Sequence, residues 1–491
     1  MDELSDLLLK RREKIEKLRE LGVNPFANNF RVANISSEIH EKYKDVEGNE
    51  LGEEKYSLAG RIMAVRSFGK AAFASIQDRS GRIQIFVQKN TIGEDNYKIF
   101  KMFDIGDIIG VVGTPFRTRT GELTVKVEEL QHISKSLLPL PEKFHGLTDV
   151  ETRYRQRHVD LTVNPEVKEI FMKRNKIVSM IRSYLSERDF IEVETPMMHP
   201  IPGGGAAKPF VTHHNSLDMD LYLRVAPELY LKRLLVGGME RVFEVNRNFR
   251  NEGISTRHNP EFTMMEFYWA YANYHDLMDL TEDLVSKLAL EITGSTTVEY
   301  QGNQLDFSAP WQRLTVREAL AKYTDLSLED VNDHGKLLEL AKKINLKNAE
   351  GMVYGKLLME LVDELVESKL IQPTFMYEYP LAVSPLSRKN EADPEWVDRF
   401  ELVIAGMEIA NAFNELNDPI DQKERFLDQL KQREMGDEEA HEMDEAYVNA
   451  LEFGMPPAAG EGVGIDRLVM LLTNQQSIRE VILFPQLRKD K

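Results

Sequence analysis

The chain has 491 residues, 42% of them hydrophobic and 29% charged, which suits about three globular domains with ordinary cores. It contains no cysteine, which excludes disulfides and thiolate metal sites. The net charge of −19 argues against a protein that binds DNA or RNA over its whole surface. No run approaches the roughly 18 apolar residues of a membrane helix, and the charged N-terminus lacks the apolar core of a secretory signal. A cytoplasmic protein is therefore expected.

The N-terminal segment predicts an amphipathic helix. Apolar residues recur at helical spacing over residues 4–21, and Gly22 stops the pattern. Basic residues, among them Arg11, Arg12 and Lys14, surround the apolar stripe. They indicate either a solvated helix face or an arm that contacts phosphate groups.

Residues 56–134 change to short strands with glycines at the turns. In residues 82–88 apolar and polar side chains alternate, as in half-buried strands. About five such strands predict a small closed β-barrel. One barrel of this size is the OB-fold, which stacks bases on aromatic side chains, and Phe73, Gln84 and Phe86 could serve that purpose. A barrel of another kind fits the pattern equally well.

A stiff, proline-containing connector at residues 137–141 marks the main domain boundary. The predicted organisation is a helical arm (1–55), a barrel domain (56–138), a linker (139–147) and a second domain (148–491) with a mainly helical insertion at about 295–370. The second domain has helical patterns at 165–189 and 275–293, strands at 190–196, 241–249, 262–270, 375–379 and 398–413, and a glycine-rich end followed by a helix.

The segment between the two predicted strands at 241–249 and 262–270 is longer than a simple hairpin loop. It contains Arg250, Glu252, Arg257 and His258. Arginine offers a planar fork of donors for phosphate or carboxylate, so this loop predicts a polyphosphate site. The alternative is a solvated surface loop.

The strand that follows this loop carries charge on one face. Side chains two residues apart share a face, so Glu266 and Tyr268 project together, beside the arginine-rich loop. A carboxylate on a core strand needs a partner. That partner is either a cationic group of a ligand or an internal ion pair.

Two more carboxylates fall on the segment at 398–413. A tight turn near residues 404–405 would place Glu401 directly opposite Glu408, and facing like charges favour a cation between them, with Mg²⁺ the natural choice. Asn411 and Glu415 share one face of the continuing strand. Glu408 does not share that face, so one common site requires a β-bulge between Glu408 and Asn411.

The run of alternating glycines at residues 460–464 precedes a predicted helix, with Arg467 near the helix N-terminus. Glycines let the backbone approach a ligand closely, and a helix N-terminus favours anions. The signal is weak by itself, and no phosphate loop of the Gly-x-x-x-x-Gly-Lys type is present.

Taken together, these features resemble the class II aminoacyl-tRNA synthetases. The order of motifs matches: a helix and strand ending at Pro196, the Arg250 loop with its strands, and residues 460–467. Four segments are similar to the bacterial-type lysyl-tRNA synthetases: PGGGAAKPF at 202–210, RVAPELY at 224–230, FRNEGIS at 249–255 and NELND at 414–418. The resemblance extends over nearly the whole chain.

The resemblance implies an α+β fold, with the N-terminal helix and an OB-fold barrel before a catalytic domain in which helices flank an antiparallel sheet. It implies a ligase that joins lysine to tRNA(Lys) with ATP as substrate, up to three Mg²⁺ ions per subunit, and a homodimer formed through the first motif. The expected partners are thus L-lysine, ATP, tRNA(Lys) and a second copy of the chain, with no membrane.

It also implies roles for the matching residues. Arg250 and Arg467 would be catalytic. ATP would be bound by Arg250, Glu252, His258, Asn259, Phe262, Glu401, Glu408 and Arg467, and Mg²⁺ by Glu401 and Glu408. Lysine would be bound by Gly204, Glu228, Arg250, Glu266, Tyr268, Asn411 and Glu415. The anticodon would be bound by Phe73, Gln84 and Glu129.

One departure from the family is that Ala410 and Ala412 flank Asn411 where glycine is common, and small side chains still fit there. A sibling ligase for aspartate or asparagine would need cations where this chain has Glu266 and Glu415. A relative that lysylates proteins would lack the barrel. A catalytically inactive paralogue would have lost Arg250, Glu408 or Arg467.

Overall fold

The computed structural model describes residues 2–141, 147–205, 207–434 and 442–489, and divides into two compact units, Met1–Leu147 and Thr148–Lys491. Residues 142–146 of the predicted linker lie outside the described residues, as does Ala206 in the segment at 202–210. No helix in the described ranges is long and apolar enough to cross a membrane.

The first unit contains a closed barrel with the strand order β1-β2-β3-β5-β4. Its elements are α1 (Asp2–Glu20), α2 (Ser36–Lys42), β1 (Tyr56–Phe68), β2 (Ala71–Gln77), β3 (Arg82–Gln88), α3 (Lys89–Ile92), α4 (Glu94–Phe100), β4 (Ile108–Arg117) and β5 (Leu123–Ser134). Alternate residues such as Ala74, Ile85 and Val125 are buried in the interior, as the alternating pattern predicted. The predicted N-terminal helix and five-stranded barrel are confirmed.

The helices of the second unit are α5 (Val150–Arg155), α6 (Arg157–Val163), α7 (Pro165–Ser186), α8 (Glu228–Val236), α9 (Tyr274–Thr293), α10 (Val316–Tyr323), α11 (Leu328–Val331), α12 (His334–Lys343), α13 (Tyr354–Leu365), α14 (Pro419–Glu434), α15 (Glu445–Glu452), α16 (Ile465–Leu472) and α17 (Ile478–Val481). Its strands are β6 (Ile191–Glu192), β7 (Met198–His199), β8 (Phe210–His214), β9 (Met219–Leu223), β10 (Arg241–Phe249), β11 (Glu261–Ala270), β12 (Thr297–Tyr300), β13 (Asn303–Asp306), β14 (Gln312–Thr315), β15 (Thr374–Pro380), β16 (Trp396–Ile404), β17 (Met407–Asn414) and β18 (Ala458–Gly464).

The main sheet of this unit has the order β14-β15-β16-β17-β18-β11-β10-β6. Its central strands are antiparallel, while the outermost pairs, β14 with β15 and β10 with β6, are parallel. The predicted α+β class with a helix-flanked sheet is confirmed, and the two parallel edges are an addition to the expected antiparallel order.

Helices α7, α9 and α16 cover one face of this sheet. Their apolar side chains form a continuous core with alternate residues of the central strands, including Met265, Phe267, Ala412 and Val463. Because side chains alternate along a strand, the neighbouring residues point to the opposite face. The opposite face of the central strands is therefore free to carry a site.

The region predicted as a mainly helical insertion begins with strands. β12 and β13 form a hairpin whose turn places Gln301 and Gly302 at positive φ, and β14 joins the edge of the main sheet. The helices α10 to α13 follow, and they share an apolar core with β15 and β16. The insertion predicted at about 295–370 is therefore helical from α10 onwards, and the strands before it are too short to show a clear period in the sequence.

Candidate active site

A cavity of about 340 Å³ lies on the open face of the main sheet. Most of the predicted site residues line it, namely Gly204, Glu228, Arg250, Glu252, His258, Asn259, Phe262, Glu266, Tyr268, Glu408, Asn411 and Arg467. Two others, Glu401 and Glu415, do not line the cavity. The structure thus brings together residues that lie up to 263 positions apart in the chain.

Strand β11 forms one wall of the cavity. Glu266 and Tyr268 face the cavity, whereas Met265 and Phe267 face the core, as the alternation predicted. The Tyr268 hydroxyl donates to Glu266 Oε2 at 3.0 Å, and within the described part of the chain no cation lies within 4.0 Å of this carboxylate. Burial, and then the charge of Glu228, raise the pKa of Glu266 to about 8. Glu266 is therefore not part of an internal ion pair.

Glu415 has a different environment, because a lysine already contacts it. Lys232 on α8 is buried, with Nζ 2.6 Å from Glu228 Oε1 and in direct contact with Glu415 Oε2. Burial alone would lower the pKa of Lys232, but the charges of Glu228 and Glu415 outweigh it and raise the pKa. Sequence reasoning missed Lys232, although the spacing of four from Glu228 is that of a helical ion pair.

Two glycines allow these carboxylates to approach the backbone. Gly204 has φ +84°, and a Cβ there would lie 3.2 Å from Glu228 Cβ. A Cβ on Gly460 would overlap both Glu415 Oε1 and the Tyr268 ring. The glycine run, for which no strand was predicted, lies in strand β18 (residues 458–464), between β11 and β17. Its glycines keep one face of that strand open.

Arg250 follows β10 and lies against two other predicted residues. Its guanidinium carbon is 5.2 Å from the centre of the Phe262 ring, and one of its terminal nitrogens lies 4.0 Å from where a Cβ on Gly205 would be. Arg250 Nε is buried and has no hydrogen-bond partner in the described structure. A guanidinium in this condition can bind an anion in the cavity. Glu252, also in this loop, is exposed.

Arg467, at the start of α16, contacts two other predicted site residues, Glu408 and His258. It donates to the backbone carbonyl of Glu408 at 2.6 Å, lies 3.5 Å from Glu408 Oε2, and donates from Nη2 to His258 Nε2 at 3.1 Å. His258 therefore carries its proton on Nδ1, which is 2.9 Å from Ser255 Oγ. Burial and the charge of Arg467 lower the pKa of His258, in agreement with a neutral ring.

Asn259, next in the loop, is buried and held by backbone groups. Its Nδ2 donates to the carbonyl of Glu261 at 2.5 Å, and its Oδ1 accepts from the amide of Gln486 at 3.3 Å. These bonds fix the loop at the point where it enters β11.

The turn between β16 and β17 corrects one prediction. Ala405 and Gly406 form the turn, with φ of 52° and 64°, and Glu401 pairs with Asn411 rather than with Glu408. The register shifts by one residue at Ile409, which is the β-bulge that a common site required. The predicted opposition of Glu401 and Glu408 was wrong because the turn lies one residue later than expected, which pairs Glu408 with Val403, and the bulge then moves Glu401 from Ala410 to Asn411.

Glu401 is half-buried and does not line the cavity. Arg399 Nη2 is 2.5 Å from its Oε1, and Arg399 Nε also donates to Asn411 Oδ1 at 3.0 Å. Burial raises the pKa of Glu401 to about 7, against the opposing effect of Arg399 and with a contribution from the charge of Glu408. Arg399 lines the cavity and was not predicted. Its position two residues before Glu401 on one strand face was the available signal.

The barrel face in the first unit contains aromatic rings in a row. Phe73 and Phe86 pair across β2 and β3 with ring centres 4.8 Å apart, and Phe86 and Phe116 are 6.0 Å apart. Gln84 is on the same outer face as Phe86 and lies 3.4 Å from the Thr124 hydroxyl. Glu129 is exposed but lies five residues beyond Thr124, roughly 15 Å along β5, so it is not beside Phe73 and Gln84.

Two basic residues of α1 are not available as phosphate ligands, contrary to one reading of the sequence. The Arg11 side chain is buried and donates to the carbonyls of Ile105, Ser136 and Leu138. Lys14 pairs with Asp104 at 2.6 Å. Both residues attach the helix to the barrel.

Comparison with known proteins agrees with this geometry. Residues 149–488 match the family model described as tRNA synthetases class II (D, K and N). The chain belongs to the class II tRNA synthetases. The barrel of this class II synthetase, over residues 56–133, matches the model described as an OB-fold nucleic acid binding domain.

Relatives of this class II synthetase are similar over almost the whole chain. It is 54% identical to the lysine–tRNA ligase of Thermoanaerobacter pseudethanolicus over 488 residues, which cover 99% of this chain and 97% of that protein. It is 54% identical to the lysine–tRNA ligase of Carboxydothermus hydrogenoformans, with 99% of both chains covered. It is 55% identical to that of Pelotomaculum thermopropionicum, with 99% and 96% covered.

Proposed function

We propose that the chain is a lysine–tRNA ligase. A carboxylate oxygen of L-lysine attacks the α-phosphorus of ATP, the bond to the β-phosphate oxygen breaks, and pyrophosphate leaves with its electron pair. A hydroxyl of the terminal ribose of tRNA(Lys) then attacks the lysyl carbonyl and loses its proton, the bond to the phosphate oxygen breaks, and AMP leaves. Neither step needs a nucleophile from the protein, so positioning and electrostatics carry the reaction.

The observation that carries this proposal is Glu266. It is a buried carboxylate that lines the cavity and lies beyond ion-pair distance of every described cation. Such a group calls for a cation from outside the protein. Aspartate and asparagine have none in their side chains, whereas the ammonium of lysine supplies it.

The ATP site is proposed at Arg250, Glu252, His258, Asn259, Phe262 and Arg467. The free guanidinium of Arg250 suits the α-phosphate and the lysine carboxylate, and the Phe262 ring offers a face to adenine. Arg467 suits the γ-phosphate, because the neutral ring of His258 leaves its charge uncompensated on that side.

Mg²⁺ is proposed at Glu401 and Glu408. The charge of Glu408 adds to burial in raising the pKa of Glu401, so a cation between them would relieve an unfavourable pair. Among the residues described, no group of three or more His, Asp or Glu side chains could hold a metal ion alone. This suits Mg²⁺, which binds one or two carboxylates and completes its shell with substrate phosphates. Bound there, it would neutralise charge on the phosphates.

The lysine site is proposed at Gly204, Glu228, Arg250, Glu266, Tyr268, Asn411 and Glu415. Glu228 lies beside Gly204 at one end and would bind the α-ammonium, and Glu266 would bind the side-chain ammonium. Glu415 contributes through Oε1, since Lys232 holds Oε2. Asn411 lines the cavity, and a hydrogen bond from Arg399 to its Oδ1 fixes the orientation of its side chain.

Residues 56–138 are proposed as the anticodon-binding domain, with Phe73 as a stacking surface and Gln84 as a base reader. Glu129 is proposed as a third anticodon residue, at a separate position further along β5. Residues 1–55 would form an arm attached to that domain, and residues 139–147 the linker to the catalytic domain.

A homodimer is proposed through the region that precedes and includes β6 to β9. Exposed apolar side chains concentrate there: Ile191, Met197, Met198, Val211, Leu217 and Met219. An apolar patch of this extent is expected to be covered by another protein surface. We propose that the dimer acts in the cytoplasm.

ATP–pyrophosphate exchange with lysine, aspartate and asparagine tests the function, followed by charging of total tRNA. Exchange is expected with lysine alone, and the charged product should be tRNA(Lys). Exchange with aspartate or asparagine at a rate near that of lysine would refute the proposal.

A further inference from the structure

Lys232 is a buried ammonium in a place where the proposed substrate also brings ammonium groups. Its Nζ lies between Glu228 Oε1, at 2.6 Å, and Glu415 Oε2, with the Phe413 ring centre 5.3 Å away. Its side chain has no exposed surface. Lys232 does not line the cavity, and both carboxylates that it contacts belong to the proposed lysine site, so we expect it to act on the substrate through them.

The charges around this end of the cavity do not balance. Three buried carboxylates meet there, those of Glu228, Glu266 and Glu415. Arg224 is also close, but Glu244 pairs with it at 2.7 Å. Tyr268 and Tyr447 are neutral, because burial raises the pKa of each phenol above its ordinary value. When all three carboxylates are ionised, as we expect once ammonium groups of a ligand enter the pocket, Lys232 compensates one of them and leaves two in the described structure.

Lysine carries two ammonium groups, and Arg250 is free to take its carboxylate. We propose that Lys232 is a positioning and specificity-determining residue, whose fixed charge leaves this pocket with two negative charges and so matches it to a substrate with two ammonium groups. The inference rests on the proposed function and deepens it. In this view the preference for lysine over other amino acids depends on the summed charge of Lys232 and the three carboxylates, and not on a single contact with the substrate.

Three variants separate charge balance from packing: Lys232→Met, Glu415→Gln and the double variant with both changes. Each single change should lower kcat/KM for lysine about 100-fold, because it leaves one buried charge uncompensated. The double variant removes one positive and one negative charge, so it should recover at least about tenfold over either single variant. KM for ATP should stay within about twofold throughout and serves as the internal control.

Norleucine, which lacks the side-chain ammonium, supplies a measurement that packing alone would not change. The preference for lysine over norleucine should be high in the wild type. It should fall at least about tenfold in Glu415→Gln, because the pocket then has one negative charge fewer and no longer needs a second ammonium group. It should rise again in the double variant. A double variant no better than Lys232→Met, or a preference unchanged by Glu415→Gln, would overturn the inference.

Pyrophosphate exchange by the wild type is measured first, because it tests the proposed function separately from the role of Lys232. If lysine supports no exchange, the proposed function is wrong. If lysine supports exchange, the comparison of the variants tests the role of Lys232. If Lys232→Met does not fold, Glu415→Gln and the double variant still decide. Charge balance predicts the double variant to be the more active of the two, whereas a packing role for Lys232 predicts it to be the less active.

Discussion

Glu266 has its carboxylate in the wall of the cavity, where one hydrogen bond from Tyr268 replaces the water that it would have in an unfolded chain. Its pKa is about 8 in the folded chain against an ordinary 4.5. The folded chain therefore holds a proton over that pH range that the unfolded chain has lost, so this residue's contribution to stability falls as the pH rises from 4.5 to 8. The proposed substrate would supply the missing cation.

Glu266→Gln should therefore stabilise the ligand-free protein at alkaline pH while it impairs lysine activation. At pH 8.5 the variant should melt at a higher temperature than the wild type, and the difference should vanish towards pH 4.5, where both side chains are neutral. KM for lysine should rise about 100-fold or more at pH 8. Thermal unfolding across this pH range and pyrophosphate exchange measure the two effects.

Glu299→Gln is the matched control, since Glu299 is an exposed glutamate on β12. Its melting temperature should follow that of the wild type at every pH. If Glu266→Gln melts at a lower temperature than the wild type at pH 8.5, burial of the ionised Glu266 carboxylate does not destabilise the folded protein and the prediction is wrong.

Arg250→Ala removes from the cavity a guanidinium whose Nε has no hydrogen-bond partner among the described residues. Adenylate formation should be lost, by at least about 1,000-fold in pyrophosphate exchange, because two anionic groups lose their shared cation. Binding of tRNA should stay largely intact. Arg247→Ala, on β10 three residues before Arg250 and outside the cavity lining, should retain exchange within about twofold. Normal exchange by Arg250→Ala would disprove the assigned role.

Among the secondary-structure elements, strand β18 forms the bottom of the cavity. It lies between β11 and β17, and pairs Gly460 with Tyr268 and with Phe413, and Gly462 with Glu266 and with Asn411. A strand at this position with ordinary side chains would fill the space beneath the proposed lysine site. The alternation of glycine with Glu461 and Val463 follows the two faces of the strand, since both of those residues are buried on the other side.

Gly460→Ala should raise KM for lysine at least tenfold, roughly the effect of displacing a buried polar contact. The new methyl group would overlap Glu415 and Tyr268, so one of them must move. Gly464→Ala is the comparison, because a Cβ there would meet its nearest neighbour at an ordinary 3.6 Å, and KM for lysine should change by less than about twofold. Equal KM values for the two variants would show that Gly460 has no steric role.

In the whole molecule, charge is divided unevenly between the two units. Residues 1–147 carry 23 Lys and Arg against 22 Asp and Glu, whereas residues 148–491 carry 39 against 59. The acidity of the chain thus belongs to the unit with the cavity, where buried carboxylates are part of the site. The barrel unit is close to neutral and can approach a polyanion without that repulsion.

This division of charge predicts that a substitution in the barrel unit can impair tRNA binding without impairing amino-acid activation in the second unit. Phe73→Ala should raise KM for tRNA about 10-fold or more through lost stacking, with pyrophosphate exchange unchanged. Phe26→Ala, which removes an aromatic ring that is 48% exposed in the same unit, should leave KM for tRNA unchanged. Equal effects of both changes in a tRNA charging assay would argue against the aromatic face as the binding surface.

Much of this site was predictable because the geometry involved is local. The period of two in a strand places Glu266 and Tyr268 on one face whatever surrounds them, and the face positions of Glu408 and Asn411 demanded a bulge. Helical spacing predicted α1, and alternation with turn glycines predicted the barrel. None of these inferences needed to know which strand lies beside which.

Strand order, register and the partners of buried charges were decided only by the tertiary structure. Lys232 and Glu415 are 183 residues apart, and nothing local indicates that their charges meet. The position of the turn together with the bulge set Glu401 opposite Asn411, and the neighbours of β18 made a glycine-rich segment a strand. Long-range pairing depends on which surfaces the whole chain buries together, and that information is spread over distant segments.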